Sequence, residues 1–489
     1  MKHNLIKTVF ALTVITTLFS CSDELLDKTP TEFINVDDTG KSGALNPVIL
    51  ESTLNGVYSM MINAFTGGTD DHSDFGQKGY DIYTDFLSGD LALTANNYNR
   101  YGDFANLQST LDPSNLDNYI PWRYYYRVIK SSNLIIQSLG GNDATPESES
   151  AKYSLGQAKA LRAYAYFYLS QLYQREYDGA EAVLPLYKEV AAVQPQAPMS
   201  EVFDLIIDDL TQAITLLDGF SRKGKAIINQ DVARGLLAYA YAAKGDSASN
   251  LEAKKLADQV IAAGYPLMSA SEVTGGFNNI NTPGWIWGFD ITLANGLDLV
   301  SWWGQMDVFT YSYQWAGDNK GIDDLLYAEI DDNDIRKTQF DPANNWQPRN
   351  KFYNANRVIG GQRNIEDDYV FMRVAEMYLL SAEMAAKEGM VADARTSLKE
   401  VLSRRFSNPA DYAYVDGLSG QALVDEVILQ TRIELWGEGK SYLSMKRNKQ
   451  MMTRGNNHVF LSGLSIPYND ERLTYPIPRA EVQNNPFID

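Results

Sequence analysis

Met372-Arg-Val-Ala-Glu-Met-Tyr-Leu-Leu-Ser-Ala-Glu383 leads to the turn Lys387-Glu-Gly389, and Ala392, Ala394, Leu398 and Leu402 follow it. Tyr378, Ala382 and Ala386 fall on one helical face before the turn, so residues 369–404 predict two helices folded about a glycine. Residues 230–264 repeat the layout. Val232, Leu236, Ala240 and Ala243 precede Lys244-Gly-Asp246, and Leu251, Leu256, Val260 and Ile261 come after. Small residues at fixed places around a Gly turn resemble a tetratricopeptide repeat of about 34 residues. Small side chains let two helices approach closely, and stacked pairs bury a shared core. The two units are far apart in the chain, so the repeat is not contiguous.

Helical periodicity extends outward from these units. Leu54, Val57, Tyr58 and Met61 share a face over 51–62, and Trp122, Tyr125, Tyr126, Ile129, Asn133 and Ile136 share one over 119–139. Residues 151–176 hold the aromatic run Tyr164-Ala-Tyr-Phe-Tyr168, broad enough to be buried on more than one side. Pro185, Pro195 and Pro198 mark an extended connection, and Ser200 reads as the N-cap of a helix over 201–217. A last helix is expected over 421–436, and the tail Tyr475-Pro-Ile-Pro478 is extended because its prolines fix it. Two stretches break the pattern. Residues 63–118 form a long polar connection rich in Gly, Asp, Asn and Tyr, a length that is usually functional or disordered. Residues 276–365 open on Trp285-Ile-Trp-Gly-Phe289, which alternates like a strand, and continue with Trp302, Trp303, Phe309, Tyr311, Tyr313 and Trp315 on no helical stripe.

The N-terminus carries a separate message. Lys2 and Lys7 precede the apolar run Thr8 to Phe19, a secretory signal peptide too short to span a bilayer. Leu18-Phe19-Ser20-Cys21 resembles a bacterial lipobox, and Cys21 is the sole cysteine of the 489 residues. The expectation is a protein anchored to a membrane through lipid on Cys21, without disulfides or a cysteine metal site. Ser22-Asp-Glu24 resembles the surface-export signals of Bacteroidetes lipoproteins. A net charge of −20 opposes phosphate backbones, so no nucleic acid is expected as a partner. With His3 in the signal, only His72 and His458 remain, which leaves little for a catalytic triad or a multi-histidine zinc site. Aromatics make 12% of the chain, more than a core requires. Of these, the Tyr164–Tyr168 run, at least one of Trp285 and Trp287, and Trp122, Trp346 and Trp436 are expected to pack inside. Arg162 and Arg373 are expected to satisfy helix ends or buried acids.

In order along the chain stand the lipobox, Trp122-Arg-Tyr-Tyr-Tyr-Arg-Val-Ile129 with Asn133, the aromatic helix, Met372 to Glu383, Arg432-Ile-Glu-Leu-Trp-Gly-Glu-Gly439, and Pro476-Ile-Pro478 with Asn485-Pro486. With these landmarks the chain resembles the SusD/RagB family of Bacteroidetes surface nutrient-binding lipoproteins over nearly its whole length. It departs from the family pattern at Thr431, Ser441, Ser444 and Gln174, where the family usually has Glu, Arg, Asp and Gly. The resemblance implies a mostly α, SusD-like fold: four tetratricopeptide-like helix pairs packed on an irregular, loop-rich part with a few short strands. It divides the chain into a signal peptide at 1–20, an N-terminal part at 21–275 with ligand loop 63–118, and a C-terminal part at 276–489 with aromatic loop 290–320. It implies no enzyme activity and no cofactor. It also implies a glycan ligand, and a SusC-like TonB-dependent transporter beneath the protein at the outer face of the outer membrane.

A sugar offers apolar ring faces to aromatic side chains and hydroxyl rims to polar ones. The expected ligand residues are therefore Tyr98, Tyr101, Trp302 and Trp303 as platforms, with Asn96 and Asp85 as hydroxyl partners. A peptide-binding RagB-type member, and a glycoside hydrolase using two carboxylates about 5 to 9.5 Å apart, stand as alternatives. Asp331-Asp-Asn-Asp-Ile-Arg336 has the Asp/Asn alternation of a calcium loop but lacks the glycine and terminal Glu of an EF-hand. It matches a structural Asp-x-Arg segment of the family.

Overall fold

The structure, a computed structural model, describes residues 47–361 and 363–488. The signal peptide and Cys21 lie outside the described residues. Chain order begins with α1 (Pro47–Met60) and α2 (Gln77–Ser88), then the short strand β1 (Leu91–Leu93). The long helices α3 (Leu116–Ser138) and α4 (Glu149–Tyr173) follow. Strands β2 (Ala182–Pro185) and β3 (Gln196–Pro198) lead to α5 (Met199–Leu216), α6 (Gln230–Lys244) and α7 (Ser247–Ala262). Next come β4 (Trp285–Phe289), β5 (Lys320–Ile322) and β6 (Tyr369–Arg373), then α8 (Val374–Lys387), α9 (Val391–Leu402), α10 (Gly420–Glu434) and α11 (Ser441–Arg447). Strands β7 (Met451–Thr453) and β8 (Ser465–Pro467) close the order of the larger elements.

Helices α3 to α9 pack in chain order, each against the next, and α10 lies chiefly against α8. Both predicted helix hairpins are present, as α6/α7 and α8/α9. Local chemistry sets their ends. Asn115, Ser148, Asn229 and Asp246 each accept a backbone N–H in the first turn of α3, α4, α6 and α7. Gly245 then turns the chain at φ 74°. The α5 cap differs from expectation. The helix begins one residue before Ser200, with Pro198 at the cap position, and the N–H groups of Met199 and Ser200 donate to the carbonyls of Glu181 and Gly179. Backbone from the β2 approach does what the serine side chain was expected to do. Gly156 shows how closely α4 meets the end of α5. A Cβ there would stand 2.9 Å from Leu217 Cγ.

The four sheets among the described residues are two-stranded and antiparallel. β4 pairs with β6, placing Trp285 opposite Arg373, and β1 pairs with β5, Leu91 opposite Ile322. Trp285, Trp287, Trp122 and Trp436 are buried, as is the aromatic run of α4, and Trp346 is partly so. No helix among the described residues is long and apolar enough to cross a membrane.

The expected loop 63–118 is corrected in its middle. α2 lies there, and all twelve of its residues are buried. Several of its polar residues are matched inside the protein. Gln77 Nε2 and Lys78 Nζ donate to Asp81, and Tyr125 and Tyr164 donate their hydroxyls to Gln77 Oε1. Its many polar residues and the Gly-, Asp- and Asn-rich sequence around it read as a surface connection, and only the packing of distant segments encloses it.

Two clusters of interior charge are matched as well. Arg162 donates to both Asp209 oxygens at 2.7 Å, and Arg373 to Glu434 at 2.6 Å and Glu438 at 2.7 Å. Arg336, Arg405 and Lys351 complete the second cluster. Asp334 is held by the Arg336 guanidinium, so its carboxylate serves this network, and the segment 331–336 takes the structural role expected of it. The departures from the family pattern are also accommodated. Gln174 ends α4 in extended backbone that needs no glycine, and Thr431 Oγ1 donates to the Val427 carbonyl.

Burial would push the Glu438 carboxyl up, but the charges of Arg373 and Lys351 outweigh it and hold it at about 2. Arg447 and Lys387 do the same for Glu383, also about 2, and three guanidinium groups hold Glu434 well below the usual range. Carboxyls depressed in the fold add stability that is complete above their unfolded pKa of about 4.3 and disappears as pH falls toward 2. The denaturant midpoint should therefore drop steeply between these limits. Glu434→Gln leaves buried guanidinium charge unmatched and should cost about 3–5 kcal/mol in equilibrium unfolding at neutral pH. A loss under 1 kcal/mol would refute the role given to this cluster.

Candidate functional site

The segment 94–101 is held against β5 by one buried carboxylate. Asp318 accepts the backbone N–H of Tyr98 at 2.7 Å and of Arg100 at 2.8 Å. Asn97 Nδ2 donates to the Ala316 carbonyl, and Thr94 N–H to the Asn319 carbonyl. Asn99 and Tyr101 take left-handed backbone, φ 57° and 65°, so the chain bends sharply on either side of Arg100. Beneath it, Lys320 donates to the carbonyls of Gln305 and Asp318. Burial lowers its ammonium to about 7, despite the nearby Asp318 charge.

This clamp leaves Tyr98 66% exposed. Its ring meets Tyr313 edge to face at 6.2 Å, and the Tyr313 hydroxyl lies 2.9 Å from His72 Nδ1. Arg100 lies over the Tyr313 ring at 5.9 Å and reaches Asp71 at 3.2 Å. Burial would raise the Asp71 carboxyl, but hydrogen bonds from Ser73 and the Arg100 charge bring it below its usual value. Tyr313 opens the single helical turn Tyr313–Ala316, capped where Ser312 Oγ accepts the Trp315 N–H. Trp315 on that turn is 44% exposed. Tyr311 lies 5.5 Å from it, and the Arg363 guanidinium covers Tyr311 at 4.5 Å. Gly360 passes directly beneath the indole. A Cβ there would stand 2.5 Å from Trp315 Cε2. The neighbouring Val358 and Ile359 are exposed. The result is a strip of two ring pairs carried on one short turn, Tyr98 with Tyr313 and Tyr311 with Trp315, beside Arg100, Asp71, His72 and Asn97. Rings for stacking beside carboxylate, amide and guanidinium groups suit a hydroxyl-rich ligand with apolar faces.

The sequence-derived candidates separate in space. Tyr98 stands on the strip. Asn96 sits at its base, with Nδ2 donating to Asn99 Oδ1 at 2.8 Å. The other four require correction. Trp302 and Trp303 are 2% and 0% exposed, packed edge to face at 5.0 Å, with Trp302 also against Phe352 at 4.5 Å. A ring enclosed in this way offers no face to a ligand. Tyr101 is buried against Tyr83 and Phe86, under the Lys320 ammonium. Asp85 lies on buried α2, where Oδ2 accepts the Gly439 N–H; burial, reinforced by Asp81, raises its carboxyl well above the usual range. Sequence reasoning had Arg100, Tyr313 and Trp315 inside its two candidate stretches without singling them out, and it left out His72. The usable signal was the punctuation Ser312 and Gly317 around Trp315, which marks a short capped turn on a loop.

Two family models match the chain. One, described as the SusD family, covers residues 305–489, and the other, described as starch-binding associating with outer membrane, covers 58–244. A SusD-like protein of Bacteroides ovatus is 29% identical over 148 residues, which is 29% of this chain. The match spans 25% of that relative's length. Among solved structures, a SusD-like carbohydrate binding protein from Bacteroides vulgatus superposes with TM-score 0.76 at 23% identity, covering 91% of this chain and 97% of that one. Surface glycan-binding protein A from Bacteroides thetaiotaomicron, solved with laminarihexaose, gives TM-score 0.66 at 16% identity, covering 90% and 97%. These structural likenesses carry the fold.

The loop under Trp315 is tied down by two acids. Asp307 Oδ2 accepts the Asn354 N–H at 2.9 Å, and Asp367 Oδ2 accepts Asn354 Nδ2 at 2.8 Å. Burial raises Asp307 to about 6 and, with Asp307 nearby, Asp367 to about 7. Carboxyls raised in the fold contribute stability that is complete below about pH 3.9 and fades as pH rises through 6 to 7. Melting temperature should be lower at pH 8 than at pH 5.5, and Asp367→Asn should shrink that difference. An unchanged difference in the variant would refute the assignment to Asp367.

Proposed function

The chain belongs to the SusD/RagB family, a family of binding proteins rather than catalysts, and on that premise we propose that it binds an oligosaccharide or polysaccharide at the strip from Tyr98 to Trp315. The observation that carries this reading is the exposed pair Tyr98 and Trp315, held on clamped backbone in a protein whose other seven tryptophans include six that are fully or nearly buried by packing. Rings fixed in advance lose little entropy on binding, and a pyranose face can lie on either. Asp71, Asn97 and Arg100 supply hydroxyl partners. Each such hydrogen bond nets only about 0.5–1.5 kcal/mol because water competes for the same hydroxyls. Dissociation constants on the order of micromolar to millimolar follow. Nothing is hydrolysed; the ligand is passed on.

The recipient is a SusC-like TonB-dependent transporter, and the protein faces the cell exterior, held by lipid on Cys21. The outer-membrane association described for the family and the lipobox support this placement. Cys21→Ala should release the protein from the membrane fraction, and gentle detergent extraction of the wild type should bring down a large β-barrel protein. Membrane retention of the variant, or repeated recovery of the wild type alone, would overturn that half of the proposal.

The ligand half is tested by calorimetric titration with panels of neutral glycans and peptides. Trp315→Ala and Tyr98→Ala should each weaken glycan binding about fivefold to tenfold with melting unchanged, the size of one lost ring contact. Trp302→Ala should instead cost about 3–5 kcal/mol of stability, as large core truncations do. Release of reducing sugar, binding confined to peptides, or full glycan affinity in both surface variants would each defeat the reading.

A further inference from the structure

A second concave surface, lined by none of the rings of the strip, lies along α3. It is a groove of about 360 Å³. Tyr126 of α3 and Tyr187 are its half-buried rings, Val190 and Val193 stand on the far wall, and Trp122 and Ile129 lie buried beneath. The rings are ordered: Trp122 and Tyr126 lie 4.8 Å apart, and Tyr126 meets Tyr187 edge to face at 5.8 Å. The wall is pre-formed. Buried Asn133 donates to the carbonyls of Tyr187 and Glu189, while Arg162 donates to Asn133 Oδ1 and to the Lys188 carbonyl.

The near rim carries Arg123, Arg127 and Lys130, all exposed, at i, i+4 and i+7 of α3. They span about 10 Å along the helix, a distance that two or three linked sugar rings cover. Arg123 and Arg127 donate only to the backbone carbonyls of Gly68 and Thr66, and among the described residues none of the three has a carboxylate within ion-pair distance. On a chain with 62 acids and 42 bases, three cations without a carboxylate partner among the described residues give this rim a local excess of positive charge. Two acids border the groove. Glu481 is engaged by Trp122 Nε1 and Asn485, and Glu189 is exposed on the far wall.

We propose that this groove is a second binding site, for a carboxylate-bearing oligosaccharide such as a run of uronic acids. It rests on the glycan-binding reading above and adds to it a place and a chemical class. The half-buried rings of Tyr126 and Tyr187 take the sugar faces, and the cation row takes the carboxylates. The volume is that of a small-ligand cleft, about 300–1,000 Å³, where a protein partner would need a far wider contact.

The test is calorimetric titration of the mature protein with a galacturonate pentamer and with its methyl ester, which has the same shape without charge. The acid form should bind at least about tenfold more tightly than the ester, as charge-assisted hydrogen bonds require. That preference should weaken between ~50 and ~500 mM salt. The double change Arg123→Ala with Arg127→Ala should remove it, as should Lys130→Glu, which leaves both arginine contacts in place and guards against a folding defect. Trp315→Ala should leave it intact. Equal binding of acid and ester, a preference that survives both rim variants, or its loss in Trp315→Ala would overturn the site. So would rim variants that instead release a co-purifying β-barrel protein, since the groove would then face the transporter. If neutral glycans still bind at Trp315 in those cases, only this inference fails. If no glycan of either kind binds, the reading beneath it fails as well.

Discussion

Three guanidinium groups converge on the carboxylate of Glu434. Arg373 comes from the end of β6, Arg405 from the segment after α9, and Arg336 from the irregular part. One turn further on, Glu438 binds Arg373 and Lys351. All six side chains are essentially removed from water. Pairs buried to this degree add little net stability over an apolar core of the same shape, because desolvation offsets most of the Coulomb gain. Their effect is on register. An unmatched charge here is so costly that the segments carrying these residues have one acceptable arrangement, and the long insertion between α7 and α8 is thereby fastened to the last helix pair.

From that cluster the constraint reaches the ligand strip through a short series of bonds. Trp436, two residues beyond Glu434, donates its indole N–H to the Asp90 carbonyl at 2.8 Å. The Asp90 carboxylate is gripped by Arg432 at 2.6 Å, and its carbonyl also accepts the Asp323 N–H. Asp90 leads directly into β1, β1 pairs with β5, and two residues before β5 stands Asp318, which holds the backbone of Tyr98 and Arg100. The exposed ring at Tyr98 is thus mounted on rigid framework. That is the condition under which a few weak contacts to a solvated ligand can add up to useful affinity.

Much of the frame was legible in the order of residues. The two helix hairpins around Gly245 and Gly389, the aromatic helix α4 and the strand at Trp285 follow from spacing, because a helix or strand that buries one face must repeat its apolar residues at its own period. Arg162 and Arg373 were legible as partners of buried acids for a related reason: an arginine in an apolar helix or strand must find a carboxylate. α2 was not legible, since its polar residues and polar neighbours read as a surface connection that only distant packing encloses. The candidate site was half legible. The two stretches expected to build it do contain Tyr98, Tyr313 and Trp315, yet Trp302 and Trp303, the most conspicuous rings of the second stretch, went to the core.

The sequence by itself determined the helix-pair architecture and the family, and it marked Cys21 and the acidic charge balance. Each of these depends on residues near one another in the chain or on totals. Only the tertiary structure decided which rings meet solvent. Trp302 is enclosed because Phe352 and Trp303 pack around it, whereas Trp315 is raised on a capped turn over Gly360. Both tryptophans sit in polar, glycine-containing surroundings in the sequence. Their fates diverge through partners some 40 to 50 positions further along the chain. Burial is a property of where distant segments meet, and no local pattern of residue types encodes that meeting.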